Sequence, residues 1–150
     1  MMVEETSADA CMAMVASGRL ARLGCCLDNR PYVVPIHYAA DHAVLYGFTM
    51  PGRKLDMMRA NPAVCLEIDA FETGHAWQSV VLEGTFRELS NEEGHNRERL
   101  HAFDLLQTHL DWWEPGALKP RPMPIQGRSP HVFFAIEIAA ISGRHAVAGP

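Results

Sequence analysis

Short hydrophobic runs recur along the chain, and several of them alternate with polar residues, which predicts a mainly β protein. In residues 63–70, for example, Val64, Leu66 and Ile68 fall on one face of an extended chain. The other runs are rich in β-branched and aromatic residues and are bounded by turn residues, as strands are. We therefore expect six strands, over residues 19–27, 32–40, 41–49, 63–70, 76–89 and 131–144.

Two short segments have helical signals instead. The first is residues 6–17, where Thr6 or Ser7 can act as the N-cap and the glycine that follows can end the helix. The second opens at Gly52 and stops at Asn61, next to a proline. Because strands do not alternate with long helices along the chain, a doubly wound parallel sheet is disfavoured.

The clearest helical pattern lies later, in residues 90–110. Ser90 and Glu93 form a capping box there. The apolar stripe that follows consists of Leu100, Phe103, Leu106 and Leu110. Residues 114–130 contain five prolines and are expected to form a long surface loop. The order of elements predicts one domain, residues 1–150, built as a small antiparallel β-barrel or half-barrel with flanking helices.

Two residues mark irregular places in the predicted strands. Pro35 has no N–H group to donate to a neighbouring strand, so it suggests a sheet edge, a bulge or a point where strand pairing parts. Gly84 lies within the long run 76–89, at a position where a strand of that length needs a bend.

Composition restricts the possible partners. The net charge is −5, the pI is about 5.9 and the few basic residues are scattered, so a nucleic-acid or anionic-membrane surface is not indicated. No apolar run approaches the roughly 20 residues that cross a bilayer. The N-terminal residues lack the features of a signal peptide, and the four cysteines lack metal-site spacing. We expect a cytoplasmic protein with free thiols and no bound metal.

Two cations stand at the start of the second helix, which is an unusual place for them. A helix N-terminus is electropositive and disfavours Arg53 and Lys54 by roughly 0.3–1 kcal/mol. An anion such as a phosphate would resolve this conflict, because both side chains and the backbone N–H groups near Gly52 could bind it, with the hydroxyl of Thr49 as a further donor. Alternatively, both side chains extend into solvent and neutralise neighbours such as Asp56.

The segment LYGFTMPGRKLDMMRANPAVCLEID, followed by WQSVVLEGTF, resembles the FMN-binding split-barrel family of pyridoxamine-phosphate-oxidase-like and nitroimidazole-reductase-like flavoproteins. The resemblance covers residues from about 18 to 89 and more weakly the last strand. It implies a six-stranded antiparallel split β-barrel, and a homodimer that holds FMN in clefts between subunits. NADH or NADPH is then a candidate electron donor.

The resemblance also implies roles for particular residues. Arg53 and Lys54, with Gly52, bind the FMN phosphate, and Thr49 and Ser79 are auxiliary phosphate or ribityl contacts. Three residues lie along the isoalloxazine ring: Pro35, Ile36 and His37. Two others border the cofactor or the partner subunit: Trp77 and Gln78. From the residue alone, His37 could equally be a flavin contact, an active-site acid or a structural histidine.

Three functions remain open from the sequence. The first is an FMN-dependent oxidoreductase of unknown substrate, in which the flavin performs the electron transfer and no side chain need act as a nucleophile. We therefore assign no catalytic acid or base. The second is a non-catalytic protein that uses the same cleft to hold FMN, haem or another anionic cofactor. The third is a cofactor-free structural dimer.

Overall fold

A computed structural model describes residues 2–72, 76–108 and 131–147, which form eight strands and three helices. Their bounds, in chain order, are β1 Met2–Thr6, α1 Ala8–Ser17, β2 Leu20–Leu27, β3 Arg30–His37, β4 Ala39–Asp41, β5 Val44–Thr49, α2 Arg53–Ala60, β6 Ala63–Phe71, β7 Trp77–Glu88, α3 Arg97–Leu106 and β8 Val132–Val147. No helix within these ranges is long and apolar enough to cross a bilayer.

All strand pairs are antiparallel and belong to one sheet. Its order is β3-β2-β6-β7-β8-β5-β4, and β1 also pairs with β8. The two ends of this order, β3 and β4, are not paired with each other among the described residues, so the sheet curls without closing. The predicted mainly β, antiparallel split-barrel class is confirmed.

The predicted number of six strands is wrong, for two reasons. Residues 2–6 form the additional strand β1, whose partner in β8 lies at the other end of the chain. The expected strand 32–40 is divided at Tyr38, whose backbone N–H donates to Arg19 O at 2.9 Å and whose hydroxyl donates to Val15 O at 2.7 Å. At this point the chain leaves its pairing with β2 and begins to pair with β5.

Strand β8 connects the two halves of the sheet. It pairs with β7 along most of its 16 residues, and with β5 and then β1 on its other side. The β7–β8 register shifts between Glu83 and Gly84. A Cβ atom at Gly84 would lie only 2.6 Å from Glu137 O, so the backbones approach too closely there for a side chain. The predicted bend at Gly84 is confirmed.

The core lies on the concave face of the sheet, where α1 and α2 pack. Its fully buried members include Val15 of α1, Leu55 and Met58 of α2, and Leu23 and Leu82 of the strands. Helix α3 packs against the opposite side of β4, β5 and the first part of β8, where a second apolar cluster forms. We call the rest of that opposite side, on β3, β2, β6, β7 and the second half of β8, the outer face.

The start predicted for the third helix is wrong. The helix begins at Arg97, and the hydroxyl of Ser90 accepts a hydrogen bond from the N–H of Glu92 at 3.1 Å, which closes a turn instead of a capping box. Gly94 follows with a φ of 81°, a left-handed conformation that interrupts a helix. The end of the predicted helix and the predicted loop 114–130 lie outside the described residues.

Candidate functional site

The first turn of α2 exposes unsatisfied backbone donors. Its N-cap is Gly52, which has an extended backbone and no side chain to accept a hydrogen bond from the helix. The first hydrogen bond of the helix runs from the N–H of Asp56 to Gly52 O, at 3.1 Å. A Cβ atom at Gly52 would meet only Met50 O, at 3.9 Å, so the space in front of the helix is open. This turn can therefore accept an anion from solvent.

Both cations of this turn face β3. The guanidinium carbon of Arg53 lies 4.4 Å from the centroid of the Tyr32 ring, a cation–π distance that holds the side chain against the sheet edge. Lys54 lines a groove beside the same strand. The charge of Arg53 also affects a buried thiol. Burial raises the pKa of Cys25, and the nearby positive charge of Arg53 partly opposes this increase.

The groove beside Lys54 has a volume of about 470 Å³. It is lined by Leu20, Tyr32, Val34, Pro35, Ile36, His37 and Lys54. Because β3 ends the hydrogen-bonded order of the sheet, Pro35 lies on an edge strand, as its missing donor predicts. Pro35 and His37 alternate with Ile36, whose side chain is buried in the core, so both lie on the outer face. The groove thus combines a mainly apolar wall with one cation at its end.

Thr49, at the end of β5, turns inward. It is fully buried, and its hydroxyl donates to Met50 O at 2.9 Å. That hydroxyl is therefore already engaged in this structure, and its predicted contact with a phosphate stays a prediction.

The remaining predicted site residues lie elsewhere on the chain. Trp77 and Ser79 line a cavity of about 490 Å³ at the β7–β8 pair, together with Arg144. Trp77 and Gln78 also line a smaller pocket of about 210 Å³, next to His145. Three strand spacings separate β7 from β3, which is about 14 Å. One chain therefore brings together Pro35, Ile36, His37 and the cations of α2, and keeps Trp77, Gln78 and Ser79 apart from them.

Strand register orders the polar side chains of the outer face into rows. One row crosses the sheet through Pro35, Arg22, Glu67, Val81 and Ser142. The next contains Asp69, Ser79, Arg144 and Glu5. These rows contain both positively and negatively charged side chains. They cross the outer face from the strand of Pro35 to the strand of Ser79.

Among the acids of these rows, Glu67 has the largest shift in pKa. Burial is the main cause that raises its pKa, to about 7, and a hydrogen bond to Asp69 and the charge of Asp69 add to the increase. Arg22 and the hydroxyl of Ser79 act in the opposite direction. Asp69 is also 3.6 Å from the guanidinium of Arg22, measured from Oδ2 to Nη1.

Sequence reasoning missed four residues of these sites. Tyr32 is the first residue of the predicted strand 32–40, and its aromatic ring was a usable signal. Glu67 and Asp69 alternate with apolar residues in "CLEIDA", which already places both carboxylates on one face of a strand. Arg144 had no local signal, because only the pairing of β8 with β7 brings it to Ser79.

The chain is similar to known proteins along nearly its whole length. A family model described as pyridoxamine 5'-phosphate oxidase matches residues 7–145. An uncharacterised protein of Rhizobium meliloti (strain 1021) is 48% identical over 149 residues, which is 99% of each chain.

Two solved structures are also similar. An FAD-binding protein from Mesorhizobium loti is 45% identical, with a TM-score of 0.82 over 98% of this chain and 100% of that one. The FAD binding protein from Mycobacterium smegmatis is 19% identical, with a TM-score of 0.62 over 97% of this chain and 100% of that one, and it supports the fold alone.

Proposed function

Because the chain belongs to the pyridoxamine 5'-phosphate oxidase family, we propose that it is an FMN-dependent oxidoreductase whose flavin lies in a cleft between two copies of the chain. The observation that carries the proposal is the open, uncapped start of α2, with Arg53 stacked on Tyr32 and Lys54 lining an apolar groove. An amphipathic cofactor needs this combination of an anion site at one end and an apolar wall at the other.

The phosphate of the cofactor fits the first turn of α2. The backbone donors of this turn have no side-chain acceptor, and two cations stand beside them. Charge-assisted hydrogen bonds from Arg53 and Lys54 would add to the attraction of the helix dipole. The stacking of Arg53 on Tyr32 orients the guanidinium before the ligand arrives, which lowers the entropic cost of binding.

The flavin ring fits the groove beside β3. Leu20, Val34 and Pro35 supply apolar contact area there, and His37 is the polar residue at the ring's edge. A bound flavin would supply the hydride or electron transfer. The protein's residues would bind the ring, orient it and exclude water from its face, so we assign no catalytic acid or base.

A second copy of the chain would complete the cleft. Trp77, Gln78 and Ser79 lie about 14 Å from β3, measured by strand spacing across the outer face, so they do not line the groove of their own chain. A homodimer that packs outer face against outer face can bring these residues of one copy to the groove of the other. The exposed apolar side chains of this face, among them Val33 and Val81, favour such packing.

FAD is a second candidate cofactor. The 45% identical protein from Mesorhizobium loti is described as FAD-binding. FAD carries the same flavin ring and a diphosphate, so it presents the same chemistry to the start of α2 and differs by a nucleotide that would need further space.

The test is the absorbance spectrum of the purified protein, followed by anaerobic addition of NADH or NADPH. We expect a flavin spectrum that a nicotinamide donor bleaches, and mass spectrometry of the released cofactor then distinguishes FMN from FAD. A flavin that neither donor reduces would favour a non-catalytic flavin-binding protein. A haem spectrum, or a protein that takes up no flavin in a titration, would contradict the proposal.

A further inference from the structure

Two carboxyl groups share the middle of the outer face. Glu67 and Asp69 are two residues apart on β6, so their side chains emerge on the same side, and Asp69 is one of the groups that raise the pKa of Glu67. Two neighbouring carboxyl groups favour a proton on one of them, because two like charges repel. In addition, Oε1 of Glu67 is buried and has no hydrogen-bond partner among the described residues, which an ionised carboxylate would not tolerate without cost.

Too few cations face this pair to stabilise two negative charges. On the β2 side, Arg22 is paired in register with Glu67, but its Nη1 lies 3.6 Å from Asp69 Oδ2. On the β7 side, the hydroxyl of Ser79 acts to lower the pKa of Glu67, and Glu83 adds another negative charge further along the strand.

The other titratable groups of this face are more distant. They are Cys65 on β6, Cys26 on β2, His37 on β3 beyond β2, Arg144 on β8 beyond β7, and Glu5 on β1 next to Arg144. Asp69 therefore pairs with the nearest cation, Arg22, and Glu67 is the carboxyl group that stays protonated. Its pKa of about 7, raised mainly by burial, agrees with this assignment.

We propose that the proton on Glu67, beside Asp69, controls the association of two copies of the chain through the outer face. The inference rests on the proposed homodimer. Glu67 lies in the row that crosses the centre of this face, between Arg22 and Val81. A second copy that covers the face would remove the remaining water from the pair, and a desolvated pair with two negative charges is unfavourable.

The direction of the pH dependence follows from this desolvation. In the free chain the pKa of Glu67 is about 7, and covering the pair raises it further. A group whose pKa is higher in the dimer than in the free chain stabilises the dimer below pH 7, and this contribution is lost as the pH rises above 7. Between the two pKa values, the dimer dissociation constant rises about tenfold per pH unit for each Glu67.

The experiment measures the dimer dissociation constant by analytical ultracentrifugation at pH 6, 7, 8 and 9. For the wild type we expect a constant value up to pH 7 and a rise above it. Glu67→Gln replaces the acid by an amide of the same shape that cannot ionise, so its dissociation constant should stay unchanged over this range. Glu83→Gln, on the same face, is the matched control and should keep the wild-type rise.

A second variant tests how Asp69 affects the proton on Glu67. Asp69→Asn removes the neighbouring charge and frees Arg22 to pair with Glu67, so the rise in the dissociation constant should move to lower pH. Circular dichroism checks that each variant is folded. A wild-type dimer with a pH-independent dissociation constant, or Glu67→Gln with the wild-type rise, would overturn this inference alone. A monomer at every pH would overturn the homodimer as well.

Discussion

Arg53 shows how one side chain can be prepared for a ligand. Its guanidinium stacks on Tyr32 at 4.4 Å, although its place at a helix start is electrostatically unfavourable. A cation that only neutralised its neighbours would pair with a nearby acid, and Arg59 at the other end of α2 does this with Glu88 of β7. The two arginines of α2 therefore differ in what they contact, and they provide a variant and its control.

Replacement of Arg53 and Lys54 by alanine tests the anion site. We expect the double variant to lose flavin affinity by about 3–6 kcal/mol, at about 1.5–3 kcal/mol for each charge-assisted contact, and to remain folded. Titration of the flavin-free protein with FMN, followed by flavin fluorescence, measures the loss. Arg59→Ala also removes a cation from α2 and should bind FMN like the wild type. Wild-type affinity in the double variant would reject the assignment.

Tyr38 illustrates a residue whose importance only the folded chain reveals. Its hydroxyl donates to Val15 O and lies directly against Gly18, where a side chain would collide with it. Burial strongly raises the pKa of this phenol. In the sequence Tyr38 was one more aromatic residue of a strand, because its partner lies in α1 and no local pattern connects the two.

At the scale of elements, the junction between β7 and β8 is the most constrained backbone. We expect Gly84→Ala to lower the free energy of unfolding by about 1–3 kcal/mol, because its Cβ atom would lie 2.6 Å from Glu137 O and 2.7 Å from Ile136 Cγ2. Chemical denaturation of both proteins measures the difference.

Gly52→Ala is the matched control for this backbone site, since its Cβ atom would have no neighbour closer than 3.9 Å. It should change the free energy of unfolding by less than about 0.5 kcal/mol. Equal stability of Gly84→Ala and the wild type would mean that the two strands can separate at the bulge without cost.

Elements with strong local signals were predicted, and elements that depend on distant partners were not. Ser7 caps α1 as expected, because a helix cap is a contact within one turn. Strand β1 has the exposed, acidic sequence MVEET, and only its pairing with β8, far along the chain, makes it a strand. The false capping box at Ser90 shows the converse error, since the same hydroxyl can close a turn.

At the scale of the whole molecule, the predicted site residues fall into two groups that lie apart in one chain. The sequence could not show this separation, because it depends on the order of the strands. If the protein forms the proposed dimer, we expect both copies to contribute to each flavin site. One copy contacts the phosphate, and the other contributes Trp77, Gln78 and Ser79.

A heterodimer experiment tests this expectation. One chain carries Arg53→Ala and Lys54→Ala, the other carries Trp77→Ala and Ser79→Ala, and two different affinity tags allow the mixed dimer to be isolated. One of its two sites then has both defects and the other has none. We expect one FMN per mixed dimer at a concentration where either variant homodimer binds none, as measured by absorbance after gel filtration.

One further preparation serves as the control for that stoichiometry. A mixed-tag dimer in which both chains carry Arg53→Ala and Lys54→Ala is the control, and it should bind no FMN at the same concentration. If the complementary dimer also binds none, each site is built within one chain and the shared cleft is wrong.

Strand β8 has a consequence for how the protein is made. Its residues pair with β5, β7 and β1, which are separated from it by tens of residues or by nearly the whole chain. A nascent chain on the ribosome therefore cannot complete the sheet until the last strand has emerged from the exit tunnel. Until then β5 and β7 have unpaired edges, and folding that waits for such distant contacts is slow. Chaperones that bind open strand edges would therefore act on this protein before β8 pairs.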